Sequence, residues 1–213
     1  MNHQDIERII KRYSDRYTLF GYSPQTLGWG KGGRQNLRFS ILANDVLRQP
    51  KSSVLDVGCG FADLFEFLKN NGWQGQYTGI DIVPKLVEEA KERHPDAKLS
   101  ILGADDLGQT GEHDFVLASG IFNGRLVCEP NKDFAERVIS KMFAAARQGV
   151  CVDFMSTWVD FQHEDAWHFA PEEALALGRQ LSKRLLLRLD YMPYEYSLII
   201  YKDDSIAQNN TFT

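Results

Sequence analysis

The run Val54-Leu55-Asp56-Val57, leading into Gly58-Cys59-Gly60, constrains this chain more than any other stretch. Mostly apolar residues bounded by a serine pair and two glycines read as a short strand buried on both faces. Such strands belong to parallel sheets covered by helices, whose ligands lie beyond the carboxyl ends of the strands. The glycines let main chain approach a ligand where a side chain would collide.

The flanking pattern supports that architecture. Helical spacing runs through residues 2–17 (Ile6, Ile9, Ile10, Tyr13) and 34–48 (Leu37, Ile41, Leu42, Val46). Between them, Thr18–Gly33 is rich in glycine and aromatics, carries a Ser-Pro turn and reads as an ordered loop. Downstream, strands over 52–58, 76–82, 97–104, 113–120 and 150–156 alternate with helices over 61–72, 84–94 and 133–149. An irregular stretch precedes a helix over 171–182, and two strands joined by a Pro-containing turn fill 184–202. Alternation implies an α/β, doubly wound, mostly parallel sheet, and the closing pair without a helix implies antiparallel pairing there. The expected organisation is an N-terminal helical cap or lid over 1–48, a core over 49–202 and a flexible tail over 203–213.

Bulk properties narrow the function classes. The 213 residues suit one α/β domain, and 43% hydrophobic content supports a sizeable core. A net charge of −5, with no Lys/Arg run longer than two, gives no electrostatic footprint for nucleic acid. Cys59, Cys128 and Cys151 form neither a disulfide framework nor a CxxC pair, so reduced thiols and no metal site are expected. The charged, amphipathic N-terminus has no signal-peptide core and no apolar run reaches membrane length, so a cytoplasmic protein without a membrane partner is expected.

The glycine turn is not built for a dinucleotide. A pyrophosphate site uses G-x-G-x-x-G, and the third glycine position here holds Asp63, whose carboxylate would oppose the phosphates. The next strand ends at Asp81, which can accept both hydroxyls of a ribose or cap the helix opened by Pro84.

With VLDVGCGFADL, YTGIDI and DFVLASG in order, residues 50–202 resemble the class I S-adenosylmethionine-dependent methyltransferases with their seven-stranded Rossmann-like fold. The resemblance implies S-adenosylmethionine as cofactor. It implies that Asp56, Gly58, Cys59 and Gly60 line the methionine part, Asp81 binds the ribose, and Ile82 lies against the adenine. It further implies that the turn through Ala104, Asp105 and Asp106 holds the adenine edge through one of the two acids, and that Ser119 with Gly120 borders the transferred methyl. Gln35-Asn36-Leu37-Arg38 resembles a Gln-x-x-basic pair of some family members, so that Arg38 would clamp the cofactor carboxylate; a surface cation is the alternative. Ala62 stands where the family often has glycine.

The acceptor side rests on loops. The expectation is a small or medium-sized metabolite methylated at O, N or C, with a protein or RNA acceptor, or a non-methylating member of the fold, as alternatives. No Asn-Pro-Pro-Tyr type motif follows the fourth strand. Tyr22 and Trp29 in the loop, Phe122 and Asn123 after the fourth strand, and Trp158 in the irregular stretch are candidates for the acceptor pocket, Asn123 orienting a polar group. His168, between aromatics, is the better candidate base and His163 the lesser. For each, a turn, a core aromatic or a solvated loop side chain is the competing explanation.

Overall fold

The computed structural model describes residues 1–29 and 34–203. Seven strands form one sheet in the order β3-β2-β1-β4-β5-β7-β6. They are β1 (Val54–Val57), β2 (Tyr77–Asp81), β3 (Lys98–Ile101), β4 (His113–Ala118), β5 (Ala146–Met155), β6 (Leu185–Arg188) and β7 (Glu195–Tyr201). All neighbours among β1 to β5 are parallel, and β7 runs antiparallel between β5 and β6. The chain winds outward from β1 through β2 to β3, then returns to place β4 on the other side of β1. That reversal opens a crevice at the carboxyl ends of β1 and β4.

Alternate side chains of each strand face opposite layers. Leu55, Val57, Val116 and Val152 pack with Phe134, Val138, Ile139 and Met142 of α6 (Asn131–Ala145) and with Ala174 and Leu177 of α7 (Pro171–Leu181). Val54, Leu117 and Cys151 face the other layer. There they meet Leu64 and Leu68 of α4 (Asp63–Asn70), Val87 and Ala90 of α5 (Pro84–Arg93), and Phe39, Leu42 and Val46. Burial on both faces is what the uninterrupted apolar strands require.

Three boundaries depart from the sequence pattern. The first helix, α1, spans His3–Phe20 and stops at Gly21, three residues into the expected loop. The helix expected over 34–48 is two pieces, α2 (Arg34–Leu42) and α3 (Asn44–Leu47), broken at Ala43. The helix expected to reach Gly149 ends at Ala145, because residues from Ala146 pair with β4 and Arg147 bonds Asp114. Tertiary pairing there overrides the helical preference of Ala-Ala-Ala-Arg-Gln. Gly30–Gly33 of the expected lid, and all of the expected tail except Asp203, lie outside the described residues.

The N-terminal segment is a strap across the carboxyl edge of the sheet. The Met1 ammonium pairs with Asp105 and with Glu129. Asp5, only 1% exposed, accepts from the backbone N–H groups of Val127 (2.9 Å) and Cys128 (3.0 Å) in the β4–α6 loop. At the other end Tyr17 donates to Glu89 on α5 at 2.5 Å, and Ile10, Tyr13, Tyr17 and Leu27 pack on Phe61, Val83 and Leu86. Among the described residues no helix is long and apolar enough to cross a membrane.

Candidate active site

The backbone at the crevice carries glycines that are each covered by a neighbouring side chain. Gly58, at φ +75°, lies under Ile121, and a Cβ on it would stand 2.2 Å from Ile121 Cγ2. Gly120, at φ +78°, lies under Trp29, where a Cβ would stand 2.8 Å from the indole. Only glycine satisfies both the left-handed backbone and the close approach. Leu27 reaches over Gly60, so the strap closes on the glycine turn from above. Ala62 adopts the left-handed region at φ +59°, the conformation for which glycine would be the unstrained choice.

Three carboxylates border the β1 and β2 tips. Asp81 Oδ2 accepts from Gly60 N–H at 2.9 Å and Oδ1 from Val83 N–H at 2.8 Å. It therefore ties the glycine turn to the start of α5, and burial still pushes its pKa up. Asp81 is not the N-cap of α5, which is Val83; it accepts from that residue's N–H instead, and each oxygen keeps a lone pair for a second donor. Asp56 accepts from Tyr77 Oη at 2.5 Å, and burial pushes its carboxyl up to about 7. Asp63, at the N-terminus of α4, accepts from Tyr22 Oη and Gln35 Nε2, both at 2.9 Å.

A second polar cluster sits at the β4 and β5 tips. Asp153 Oδ2 accepts from Ser119 Oγ at 2.5 Å and Oδ1 from Gly120 N–H at 2.7 Å. Arg38, 5% exposed, is a buried residue rather than a surface cation: its guanidinium lies 4.3 Å from the Trp29 ring and donates from Nε and Nη2 to Glu195 of β7. Its Nη1 is buried with no partner among the described residues. Tyr191 and Ser197 join hydroxyls at 2.8 Å beside this cluster, with burial raising the Tyr191 pKa.

Between Asp105 and Asp106, the acids of the turn expected at the adenine edge, the geometry is unequal. Asp105 is held by Arg137, Lys141 and the Met1 ammonium, and the Arg137 contact first of all drives its carboxyl far below the usual range. Asp106 is exposed, and its Oδ2 and Ile82 Cγ2 both lie 3.6 Å from where a Cβ on Gly103 would be. Ala104 sits partly buried beside that turn.

Several expected pocket residues lie elsewhere. Phe122 is 1% exposed, stacked on Phe154 at 5.2 Å and tilted against Phe134. It is core, because its position after β4 turns it under the sheet edge rather than over it. The Cys59 thiol likewise faces Gly79 in the opposite core layer, leaving only its main chain at the turn. Tyr22 packs edge-on against Phe61, donates to Asp63 and lies under Arg93, which makes it a strut between strap, α4 and α5 rather than a pocket wall. Asn123 is a brace: its Oδ1 accepts from Met155 N–H at 3.2 Å, and its carbonyl accepts from Trp167 N–H at 2.9 Å. Trp158 is 60% exposed and His163 is exposed beside Phe161. His168 is buried, with Nδ1 2.7 Å from the Ser156 carbonyl, so Nδ1 carries the proton. Its Nε2 is buried without a partner among the described residues.

Asp153, Glu195 and the Asp5 clasp escaped sequence reasoning. Asp153 lies inside an apolar strand, where a lone acid was a usable signal, whereas Glu195 and Asp5 look like ordinary surface acids until the fold brings their partners to them.

The crevice thus offers glycine backbone covered by Ile121, Leu27 and Trp29, an orphaned guanidinium nitrogen, and carboxylates in place of phosphate-binding donors. That set fits an adenosine ligand bearing a carboxylate and positive charge, which describes S-adenosylmethionine. A methyltransferase-domain family profile matches residues 54–149. A Mycobacterium tuberculosis protein designated a methyltransferase is 31% identical over 156 residues, covering 70% of this chain and 93% of that protein. The chain belongs to the class I S-adenosylmethionine-dependent methyltransferases.

The methyltransferase also matches ribosomal protein L11 methyltransferase of Paraburkholderia phytofirmans at 33% identity over 117 residues, 54% of this chain but only 37% of that enzyme. Its fold is shared with magnesium protoporphyrin IX methyltransferase of Synechocystis, solved with bound S-adenosylhomocysteine. That match has a TM-score of 0.69 and 17% identity, covering 93% of this chain and all of the other.

Proposed function

We propose that this methyltransferase acts on a small or medium-sized metabolite in a site roofed by its own N-terminal strap. The observation that carries this reading is the packing of Trp29 on Gly120: the ridge beside the β4 tip is covered rather than open to a surface groove. A roofed ridge admits a compact acceptor and keeps water away from the reacting centre.

When bound, S-adenosylmethionine supplies a methyl group activated by a sulfonium. In our reading Arg38 holds the cofactor carboxylate with Nη1, the one guanidinium donor that Glu195 leaves unused. Asp81 accepts from the ribose hydroxyls while keeping the Gly60 turn in place. Ile82 and Ala104 flank the adenine, and Asp106 accepts from its amino group because Asp105 is consumed by Arg137 and Lys141. Asp56, Gly58, Gly60 and Ser119 border the methionine. His168 Nε2 takes a proton from an O–H or N–H acceptor, its ring fixed by the Ser156 carbonyl.

The experiment is transfer of a labelled methyl group from S-adenosylmethionine into a cell extract separated into low-mass and macromolecular fractions. Label in the low-mass fraction is expected. A second reading, a protein acceptor, is favoured by Trp158 and Phe161, 60% and 73% exposed in the loop after β5, and by the ribosomal-protein methyltransferase relatives. Label confined to a protein band would establish it and overturn the first.

A further inference from the structure

Buried carboxylates normally have a cation of their own. Asp153 does not. It is 1% exposed, and its two hydrogen-bond donors, Ser119 Oγ and Gly120 N–H, are neutral. Arg38 is near enough to favour its ionised form, but that guanidinium is bidentate on Glu195. The charged and titratable groups that face Asp153 are Arg38 from α2, Glu195 from β7, Tyr191 from the β6–β7 loop and Asp56 from β1. With Arg38 and Glu195 cancelling, this dry pocket holds an excess of negative charge. Among the described residues no His/Cys/Asp/Glu group could hold a metal ion.

We propose that Asp153 is the counter-charge for the cofactor's sulfonium, and that it makes this enzyme prefer the methyl donor over its demethylated product. The inference rests on the reading that Ser119 and Gly120 border the cofactor sulfur. Asp153 is then a positioning residue as well: it holds both donors of that ridge while its charge acts across them. The donor carries a fixed positive charge at sulfur and the product carries none, whereas their carboxylate, ammonium, ribose and adenine are the same. A carboxylate next to the sulfur therefore discriminates between two ligands that every other contact treats alike. Burial holds the Asp153 carboxyl up to about 6, so discrimination is present when it is ionised and fades as pH falls through that value.

Calorimetry on the full-length protein tests this with S-adenosylmethionine and S-adenosylhomocysteine as separate titrants. Asp153→Asn is expected to weaken the donor by about tenfold or more, as loss of a buried charge partner does, and the product by much less. In the wild type, the donor-to-product affinity ratio is expected to fall between pH 7 and pH 5, while the protonation of Asp56 in the same range acts on both ligands alike. Ser119→Ala removes one hydrogen bond but keeps the carboxylate, and should preserve the donor-to-product ratio. Equal weakening of both ligands by Asp153→Asn would overturn the counter-charge and leave the ridge at the cofactor. No change in either ligand would overturn the placement of the ridge itself. Collapse of the ratio in Asp56→Asn instead would move the counter-charge to β1 and overturn the assignment. Circular dichroism of each variant verifies that it is folded.

Discussion

Trp29 occupies the space that a Cβ on Gly120 would need, 2.8 Å away, and lays its other surface against the Arg38 guanidinium 4.3 Å from the ring. The pair joins a residue of the strap to the tip of β4, and the closed state of the site depends on it. Trp29→Ala is expected to leave the fold intact, costing about 0.5–2 kcal/mol from the lost cation–π contact. Cofactor affinity and turnover should both fall, as calorimetry and initial rates will report. Gly120→Ala forces a Cβ into the indole in left-handed backbone, and is expected to abolish binding where Trp29→Ala only weakens it. A Gly120→Ala enzyme with normal affinity would refute the roofed site.

Asp81→Ala removes an acceptor for the proposed ribose contact and also orphans Gly60 and Val83 N–H groups. Cofactor binding should weaken by on the order of 1.5–3 kcal/mol for each charge-assisted hydrogen bond lost. Melting temperature should fall as well, even without ligand, because the turn loses its tie to α5.

His168→Gln keeps a polar side chain but no base. Turnover should drop by about a hundredfold or more if the acceptor loses a proton. Affinity for S-adenosylhomocysteine should be unchanged. Equal turnover in the variant would show that the acceptor needs no base from this residue.

The strap should be a separable unit of stability. Asp5→Ala leaves the Val127 and Cys128 N–H groups without their buried acceptor, at about 1–3 kcal/mol. Hydrogen exchange in α1 and the β4–α6 loop should accelerate while β1, β4 and β5 keep their protection.

The pH dependence of the unliganded protein follows from its buried acids. Burial pushes Asp56 up to about 7 and Asp153 up to about 6, whereas an unfolded chain titrates its aspartates near pH 4. Between these values the native state binds more protons than the unfolded one, so stability falls as pH rises from about 4 to about 7. Asp105 has the opposite sign: Arg137 depresses its pKa, so its contribution is lost at still lower pH. Thermal melts should therefore show a downward slope across the near-neutral range that Asp56→Asn and Asp153→Asn each flatten.

The architecture was legible in the sequence because parallel strands buried on both faces leave continuous apolar runs, and helices between them leave three- and four-residue spacing. Boundaries were less so where pairing decides them, as at Ala146, whose strand is set by β4 and not by its neighbours in sequence. The glycine turn was legible through Gly58 and Gly60, whose positive φ the backbone demands, and through Asp81, whose carboxylate ties that turn to Val83. That Asp105 is engaged while Asp106 stays exposed was not, since Arg137 and Lys141 approach from a helix far along the chain. Phe122 was misplaced for a related reason: an aromatic after a strand reads alike whether it turns toward the core or the ligand.

Arg38 and Glu195 lie 157 positions apart, one on the second helix and the other on the last strand. A ribosome makes the first long before the second, so the glycine turn and the Asp81 tip can be in place while the guanidinium has no partner. Contacts of such long sequence separation carry a high loop-closure entropy cost. The Arg38 clasp is therefore completed only by the final strand, and on the proposed role of Arg38 a chain stopped before β7 should not grip the cofactor's carboxylate.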